Sequence, residues 1–355
     1  MRRLRALRET RSAPESYRNQ NSLFYKEGPL EEVYVEITRN CNLNCIHCYL
    51  PTKTQSFMSP NLFRKIVDES SALGSYGISL TGGEPLLHKE LINFIKYSYD
   101  SGFLVNVQSN LTLINEDIIK KFAKYNVSIT TSVDGLNEVH DWMRGLKGCF
   151  NKVINAIKLC KEYGLLVRVN ITINKKNINH IRELLLLLME IGVDDINLFY
   201  VIQTGRALKH LDALSIPIEQ YVEVSVRNND ILKYEQLFMV SYGSSNITLC
   251  GTCETFYFIN VYGDVTICPA HSNNPKFYLG NVNTSSLREI HYSRKREELL
   301  EKIQCRYRHS CPYARGCKGG CRSRAYYATG QPDAPDIAFC NIWRRLFGSD
   351  ENDGK

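Results

Sequence analysis

Residues 41–48 read Cys41-Asn-Leu-Asn-Cys45-Ile-His-Cys48, with Tyr49 next. Three thiols at C-x3-C-x2-C spacing on one short loop can hold three irons of a cubane [4Fe–4S] cluster. No fourth cysteine follows at comparable spacing, so one iron would keep an open coordination position. Such an iron is a reactive site, whereas a fully ligated cluster mainly stores and passes electrons. A zinc knot or a disulfide-bonded loop is the alternative. Zinc wants four ligands, and His47, between two ligating neighbours, cannot easily turn its ring inward. A second element follows about thirty residues on: Gly77-Ile-Ser-Leu-Thr-Gly-Gly-Glu84-Pro85. Its glycine pair, Gly82 and Gly83, lets backbone approach a ligand closely, and Glu84 adds a negative charge.

These residues need elements to position them. Val33–Thr38 alternates and is β-branched, so it reads as a strand ending where the cysteines begin. Further strands are expected at Gly77–Thr81, Leu104–Gln108, Val127–Ser132, Leu166–Ile173 and Asp195–Tyr200. Helical patterns lie between them at Pro60–Leu73, Lys89–Ser101, Asn115–Tyr125, Asn151–Tyr163 and Ile178–Ile191. Regular alternation of strand and helix predicts an α/β fold with a parallel sheet covered by helices. Ligands of parallel α/β barrels gather at strand C-terminal ends, where the cysteine loop and Gly82–Glu84 both fall.

The cysteine loop and the Gly-Gly-Glu-Pro element together resemble the signature of radical S-adenosylmethionine (radical SAM) enzymes. The resemblance implies a partial (β/α)6 TIM-like barrel in which the methionine part of SAM chelates the open iron. Reductive cleavage of SAM would then give a 5′-deoxyadenosyl radical that abstracts hydrogen from substrate. By the same resemblance Cys41, Cys45 and Cys48 are the catalytic cluster ligands, and Gly82, Gly83 and Glu84 bind the α-amino group of SAM. Tyr49 joins the cofactor-binding group, Asn110 or Ser132 would contact the ribose or carboxylate, and Arg144 would pair with the carboxylate. Ser109, Asp134, Asn170 and Thr172 are further strand-end polar groups. Each has a plainer reading: Asn110 and Asp134-Gly135 suit turns, and Arg144 suits a surface salt bridge. Thr204-Gly205-Arg206-Ala207 looks like the element that leaves the last barrel strand in these enzymes, or else is a polar turn before a helix.

Cysteines return near the C-terminus at Cys250, Cys253, Cys268, Cys305, Cys311, Cys317, Cys321 and Cys340. A hairpin is expected from Tyr257 to Cys268, turning at Gly263-Asp264. The pattern resembles the SPASM domain, an auxiliary-cluster module of peptide-modifying radical SAM enzymes. The usual pattern has a cysteine where this chain has Arg308, and Cys305 lies three residues earlier. Eight cysteines suffice for two fully ligated [4Fe–4S] clusters. The family's interleaving gives Cys250, Cys253, Cys268 and Cys321 to the first, and Cys305, Cys311, Cys317 and Cys340 to the second. Structural zinc is the alternative. Cys149 is expected in a loop and Cys160 on the buried face of a helix, both as small apolar fillers.

With 355 residues, 43% hydrophobic and 23% charged, the chain is long enough for two domains. No apolar run reaches membrane-spanning length, and the basic start lacks a signal-peptide core. Thirteen cysteines without a secretory signal suggest reduced thiolates in the cytoplasm. A net charge of +7 with no aromatic-interleaved basic stripe gives no reason to expect nucleic acid. The organisation expected is a basic arm over 1–30, the barrel over 31–200, a helical connector over 201–249, the cysteine-rich SPASM domain over 250–343 and a polar tail over 344–355. The segment from Cys317 to Gly330 resembles enzymes that mature the precursor peptides of pyrroloquinoline quinone and mycofactocin, and also enzymes acting on haem-pathway tetrapyrroles. Sulfatase-maturating enzymes are disfavoured, because Pro269 follows Cys268 where they place an Asp base. A peptide substrate is favoured over a tetrapyrrole, because the resemblance implies two auxiliary clusters. A non-catalytic iron–sulfur or zinc protein is the third reading. About thirty residues precede the first strand, too few for a built-in winged-helix leader-binding domain, so a separate leader-binding protein is expected, with a flavodoxin- or ferredoxin-like electron donor.

Overall fold

The structure is a computed structural model that describes residues 30–232, 255–317 and 319–347. The basic arm, Cys250, Cys253, the end of the connector and the residues after 347 lie outside the described residues. Six parallel strands follow one another through the first part: β1 (Glu32–Thr38), β2 (Gly77–Gly82), β3 (Leu104–Gln108), β4 (Ser128–Ser132), β5 (Val167–Ile173) and β6 (Asp195–Tyr200). The connections carry helices α1 (Pro60–Ala72), α2 (Leu91–Asp100), α3 (Glu116–Lys124), α4 (Glu138–Arg144), α5 (Cys149–Glu162) and α6 (Ile181–Ile191). This is the parallel sheet covered by helices that the alternation predicts, and the partial barrel that the resemblance implies. Local chemistry starts the helices where expected: Ser59 caps α1 by accepting from Leu62 N, with Pro60 at its first position. Asn115 caps α3 in the same way. Phe63 and Ile66 of α1, Ile157 and Cys160 of α5 and Leu184, Leu185 and Leu188 of α6 close the core against the sheet. Each such buried side chain contributes about 1.5–3 kcal/mol.

Two features differ from the sequence reading. Helix α4 is absent from it, because seven residues between Gly135 and Gly145, with no side-chain cap, carry little periodic signal. Cys149 opens α5, wholly buried, and is not in a loop. The C-terminal part also joins the same sheet: β7 (Phe256–Ile259) pairs in parallel with the free edge of β1, and β8 (Asp264–Thr266) and β9 (Tyr278–Asn281) extend it antiparallel. The order is β6-β5-β4-β3-β2-β1-β7-β8-β9. The β7–β8 hairpin turns over Asn260–Gly263, where Gly263 N donates to Asn260 O at 2.9 Å. After β6 come short helices including α7 (Ile218–Arg227). The chain ends in α8 (Arg322–Thr329) and α9 (Ile337–Phe347), which packs on α7 and runs past the expected start of the tail. No helix among the described residues is long and apolar enough to cross a membrane.

Candidate active site

The loop after β1 is fixed at several points, so its three cysteines are placed by backbone. Asn44 N and Ile46 N donate to Arg144 O (3.2 Å) and Met143 O (3.0 Å), so the loop docks on the carbonyl end of α4. On the other side Arg206 N donates to Cys48 O at 2.8 Å. Neighbouring Gly205 has φ +58°, and a methyl group there would overlap Cys48 O and Tyr49 O. Lys53 Nζ reaches Cys41 O at 2.9 Å, and Leu43 N donates to Cys41 Sγ at 3.4 Å. Leu43 and Leu50, both 1% exposed, anchor the loop in the interior. Cys45 is buried and Cys41 and Cys48 are half-buried.

Gly82–Glu84 lies directly against this loop. Gly83 N donates to Thr38 O (2.7 Å) and Glu84 N to Asn40 O (2.8 Å). A methyl group at either glycine would overlap those same carbonyls, so the close approach that the glycines allow is to the cysteine loop itself. The Glu84 carboxylate is wholly buried and accepts from Ser109 Oγ (2.7 Å), Asn110 N (2.8 Å) and Leu86 N (3.0 Å). Burial raises its pKa above the ordinary carboxylate value, against the opposing pull of these three donors. Asn110 also reaches the loop: its Nδ2 donates to Asn42 Oδ1 at 3.0 Å. Ser132 ends β4 in register with Asn170. Tyr49 packs edge-on to Phe258 and donates to Glu36 Oε1 at 3.3 Å. Glu36, fully buried, also accepts from Arg39 Nε (2.9 Å) and from Val261 N (3.1 Å) in the hairpin turn.

Arg144, which the resemblance pairs with a cofactor carboxylate, is engaged by the chain itself. Its Nη2 stands 2.5 Å from Asp134 Oδ2 and its Nη1 is 3.7 Å from Cys45 Sγ, with the arginine 8% exposed. Asp134 is wholly buried and also accepts from Thr172 N at 2.9 Å. Burial alone would raise its carboxyl; the Arg144 guanidinium, together with His47, His140 and the Thr172 N–H, holds it below the ordinary value. His140 sits behind the pair, its Nδ1 accepting from Asp134 N at 3.0 Å. Arg206, beside Cys48, has a buried Nε with no hydrogen-bond partner among the described residues. Sequence reading singled out neither the Asp134–Arg144 pair nor Arg206 as a charge at the loop. Ten positions separate the pair, and only α4 folds them together.

The later cysteines form a second region. The side chains of Cys317 and Cys340 hydrogen-bond to each other, which raises the Cys317 thiol and lowers that of Cys340 to about 7. Cys305 Cβ lies against Gly319, and Gly319 N donates to Cys317 Sγ. Turns at Arg308 N→Cys305 O (2.9 Å) and Cys311 N→Tyr307 O (2.8 Å) take up the three additional residues in this chain's spacing. Cys321 caps α8, its Sγ accepting from Arg324 N at 3.4 Å, and its own N–H donates to Asp336 Oδ2 at 2.8 Å. Cys268 follows the hairpin and is half-buried. The described cysteines are all free thiols. Burial pushes the Cys41 thiol up to about 11, so this loop resists carrying thiolates unless a positive centre compensates them, as iron would.

A family model of the radical SAM superfamily matches residues 35–188, and a model of an iron–sulfur cluster-binding domain, SPASM, matches residues 250–321. The chain carries a radical SAM domain followed by a SPASM domain. The cofactors of this radical SAM/SPASM chain are a [4Fe–4S] cluster with SAM in the first domain and auxiliary iron–sulfur clusters in the second. It is 33% identical over 177 residues to Fe-coproporphyrin III synthase of Methanosarcina barkeri, an alignment covering 49% of this chain and 44% of that protein. It is 29% identical over 343 residues to AdoMet-dependent heme synthase of the same organism, covering 83% and 92%. The subtilosin biosynthesis protein AlbA of Bacillus subtilis is 26% identical over 304 residues, covering 82% and 67%. The chain thus spans under half the length of the first of these relatives and most of the second. In fold it is similar to anSMEcpe with bound AdoMet (TM-score 0.73, 20% identity, covering 90% and 92%). It is also similar to SuiB of Streptococcus suis bound to precursor peptide SuiA (TM-score 0.70, 17% identity, covering 88% and 76%).

Proposed function

We propose that this radical SAM/SPASM enzyme modifies a ribosomally made peptide, by a cross-link or another oxidative C–H modification. The observation that carries the reading is that Cys317 hydrogen-bonds both Cys340 and the N–H of Gly319, with Cys305 Cβ against that same glycine. It supports a second auxiliary cluster, which the resemblance associates with peptide-maturing enzymes. Cys41, Cys45 and Cys48 would hold the catalytic cluster. Cys250, Cys253, Cys268 and Cys321 would hold one auxiliary cluster, and Cys305, Cys311, Cys317 and Cys340 the other. When bound, the reduced cluster and SAM supply a 5′-deoxyadenosyl radical that takes hydrogen from the substrate. The chain's own residues hold that chemistry in place. Arg144 sets a positive charge beside Cys45, and Asp134 fixes the guanidinium there. Glu84 binds the turn after β3 to the cysteine loop. Gly82, Gly83 and Glu84 would hold the cofactor amine, and Tyr49, Asn110 and Ser132 would be its further contacts. A separate leader-binding protein, a flavodoxin- or ferredoxin-like donor and a cytoplasmic setting belong to the same proposal.

The rival substrate is a carboxylated tetrapyrrole, favoured by the alignment over 92% of an AdoMet-dependent heme synthase. The cationic side chains near the loop, Arg39, Lys53 and Arg206, would suit its carboxylates. The deciding experiment incubates the anaerobically reconstituted enzyme with SAM, reductant and either short peptides encoded beside the gene or iron-coproporphyrin. Mass spectrometry then follows each substrate. A peptide that loses a pair of hydrogens, together with one 5′-deoxyadenosine per event, supports the proposal. Loss of carboxyl groups from the porphyrin, with every peptide unchanged, overturns it.

A further inference from the structure

His271 is wholly buried one turn after Cys268, in a short 3-10 helix (Pro269–His271), and its backbone N–H donates to Cys268 O at 3.0 Å. Its ring is stacked on Phe277 (centroids 3.8 Å apart, planes at 17°) and lies nearly parallel to Tyr327 (5.1 Å, 23°), with Tyr326 edge-on at 5.7 Å. Neither ring nitrogen has a hydrogen-bond partner among the described residues. A buried donor or acceptor left unpaired costs about 1–3 kcal/mol, so a phenyl ring would fill this stack more cheaply. Whichever nitrogen holds the proton, the imidazole has at least one N–H to give. The surroundings say where that N–H goes. Tyr327 and Tyr326 belong to α8, which Cys321 caps, and the Tyr327 hydroxyl donates to Ala270 O at 2.9 Å. His271 therefore stands between Cys268 and the helix opened by Cys321, the two described cysteines assigned to one auxiliary cluster.

We propose that His271 donates its ring N–H to a sulfur of the auxiliary cluster held by Cys268 and Cys321, and so raises that cluster's reduction potential. The inference rests on the cluster assignment made under Proposed function. Hydrogen bonds to cluster sulfurs are among the factors that set iron–sulfur potentials. The assignment under Proposed function gives this cluster four cysteine ligands, so the imidazole would act as a donor and not as an iron ligand. The test compares wild-type enzyme with His271→Phe, which keeps a ring in the stack, after anaerobic reconstitution of both. Iron per chain is expected to be equal. In an EPR-monitored redox titration one auxiliary signal moves to lower potential in the variant, and the SAM-binding signal stays put. Pulsed EPR of wild type carrying 15N-histidine shows a weak nitrogen coupling to the reduced auxiliary cluster, and the variant lacks it. Equal iron with unmoved potentials and no coupling overturns the role of His271 alone. A strong coupling with about four irons lost in the variant overturns it in favour of direct ligation. Fewer than about eight irons in wild type overturns the cluster assignment itself and the donor role with it. His271→Gln, which retains an N–H, is expected to hold the potential nearer wild type; a drop as large as that of His271→Phe contradicts the proposal.

Discussion

Asp134 and Arg144 are an ion pair that water scarcely reaches, and each is the condition for burying the other. Removing one partner of such a pair strands a charge in the interior, typically at a cost of about 3–5 kcal/mol. Asp134→Ala is therefore expected to lower stability by about that amount, read from the urea midpoint under anaerobic conditions. Asp134→Leu with Arg144→Met is expected to recover much of the loss, because no charge is left unpaired. An unchanged midpoint in Asp134→Ala would show that water reaches the pair. The cysteines and the glycine–glutamate run were legible in the sequence, because their spacing is local. The partners of Arg144 were not, since they depend on a helix with almost no sequence signal. Glu84 was legible as a charge at a strand end, but two of its three donors, Ser109 and Asn110, became visible only once β3 lay beside β2.

At the scale of elements, the cysteine loop is clamped between the end of α4 and the turn that leaves β6. Gly205 is the narrow point of that clamp, because only a residue without Cβ can take its left-handed backbone against Cys48 O and Tyr49 O. Gly205→Ala should lift the turn from the loop and break the Arg206 N→Cys48 O bond. The expected outcome is a loss of about four irons per chain, with the auxiliary signals retained in EPR. Full iron at the first site in that variant would show that the clamp is dispensable. The six barrel strands and five of their helices were readable because each combines a periodic apolar face with a turn or cap residue. Helix α4 lacked both, and Cys149 was assigned to a loop because its place at the start of α5 depends on the unread helix before it.

Across the whole molecule, one sheet joins the two domains. The sequence announces a hairpin between Tyr257 and Cys268, but nothing in it says that β7 adds to the outer edge of β1. That pairing is long-range, and parallel register leaves no local trace. Its consequence is functional: Glu36 at the end of β1 holds Tyr49 of the cysteine loop and Val261 of the hairpin turn at once. The cysteine loop and the hairpin of the C-terminal domain are thus built on neighbouring strands. We expect this assembly to cleave SAM with a cluster on Cys41, Cys45 and Cys48 and to carry further clusters on the later cysteines. Anaerobic reconstitution with iron and sulfide, followed by iron counting and a dithionite-dependent assay for 5′-deoxyadenosine, tests it most directly. The expected result is about twelve irons per chain, with SAM cleavage abolished in Cys45→Ala and retained when Cys317 and Cys340 are both replaced. Zinc in place of iron, or cleavage that survives in Cys45→Ala, would contradict it.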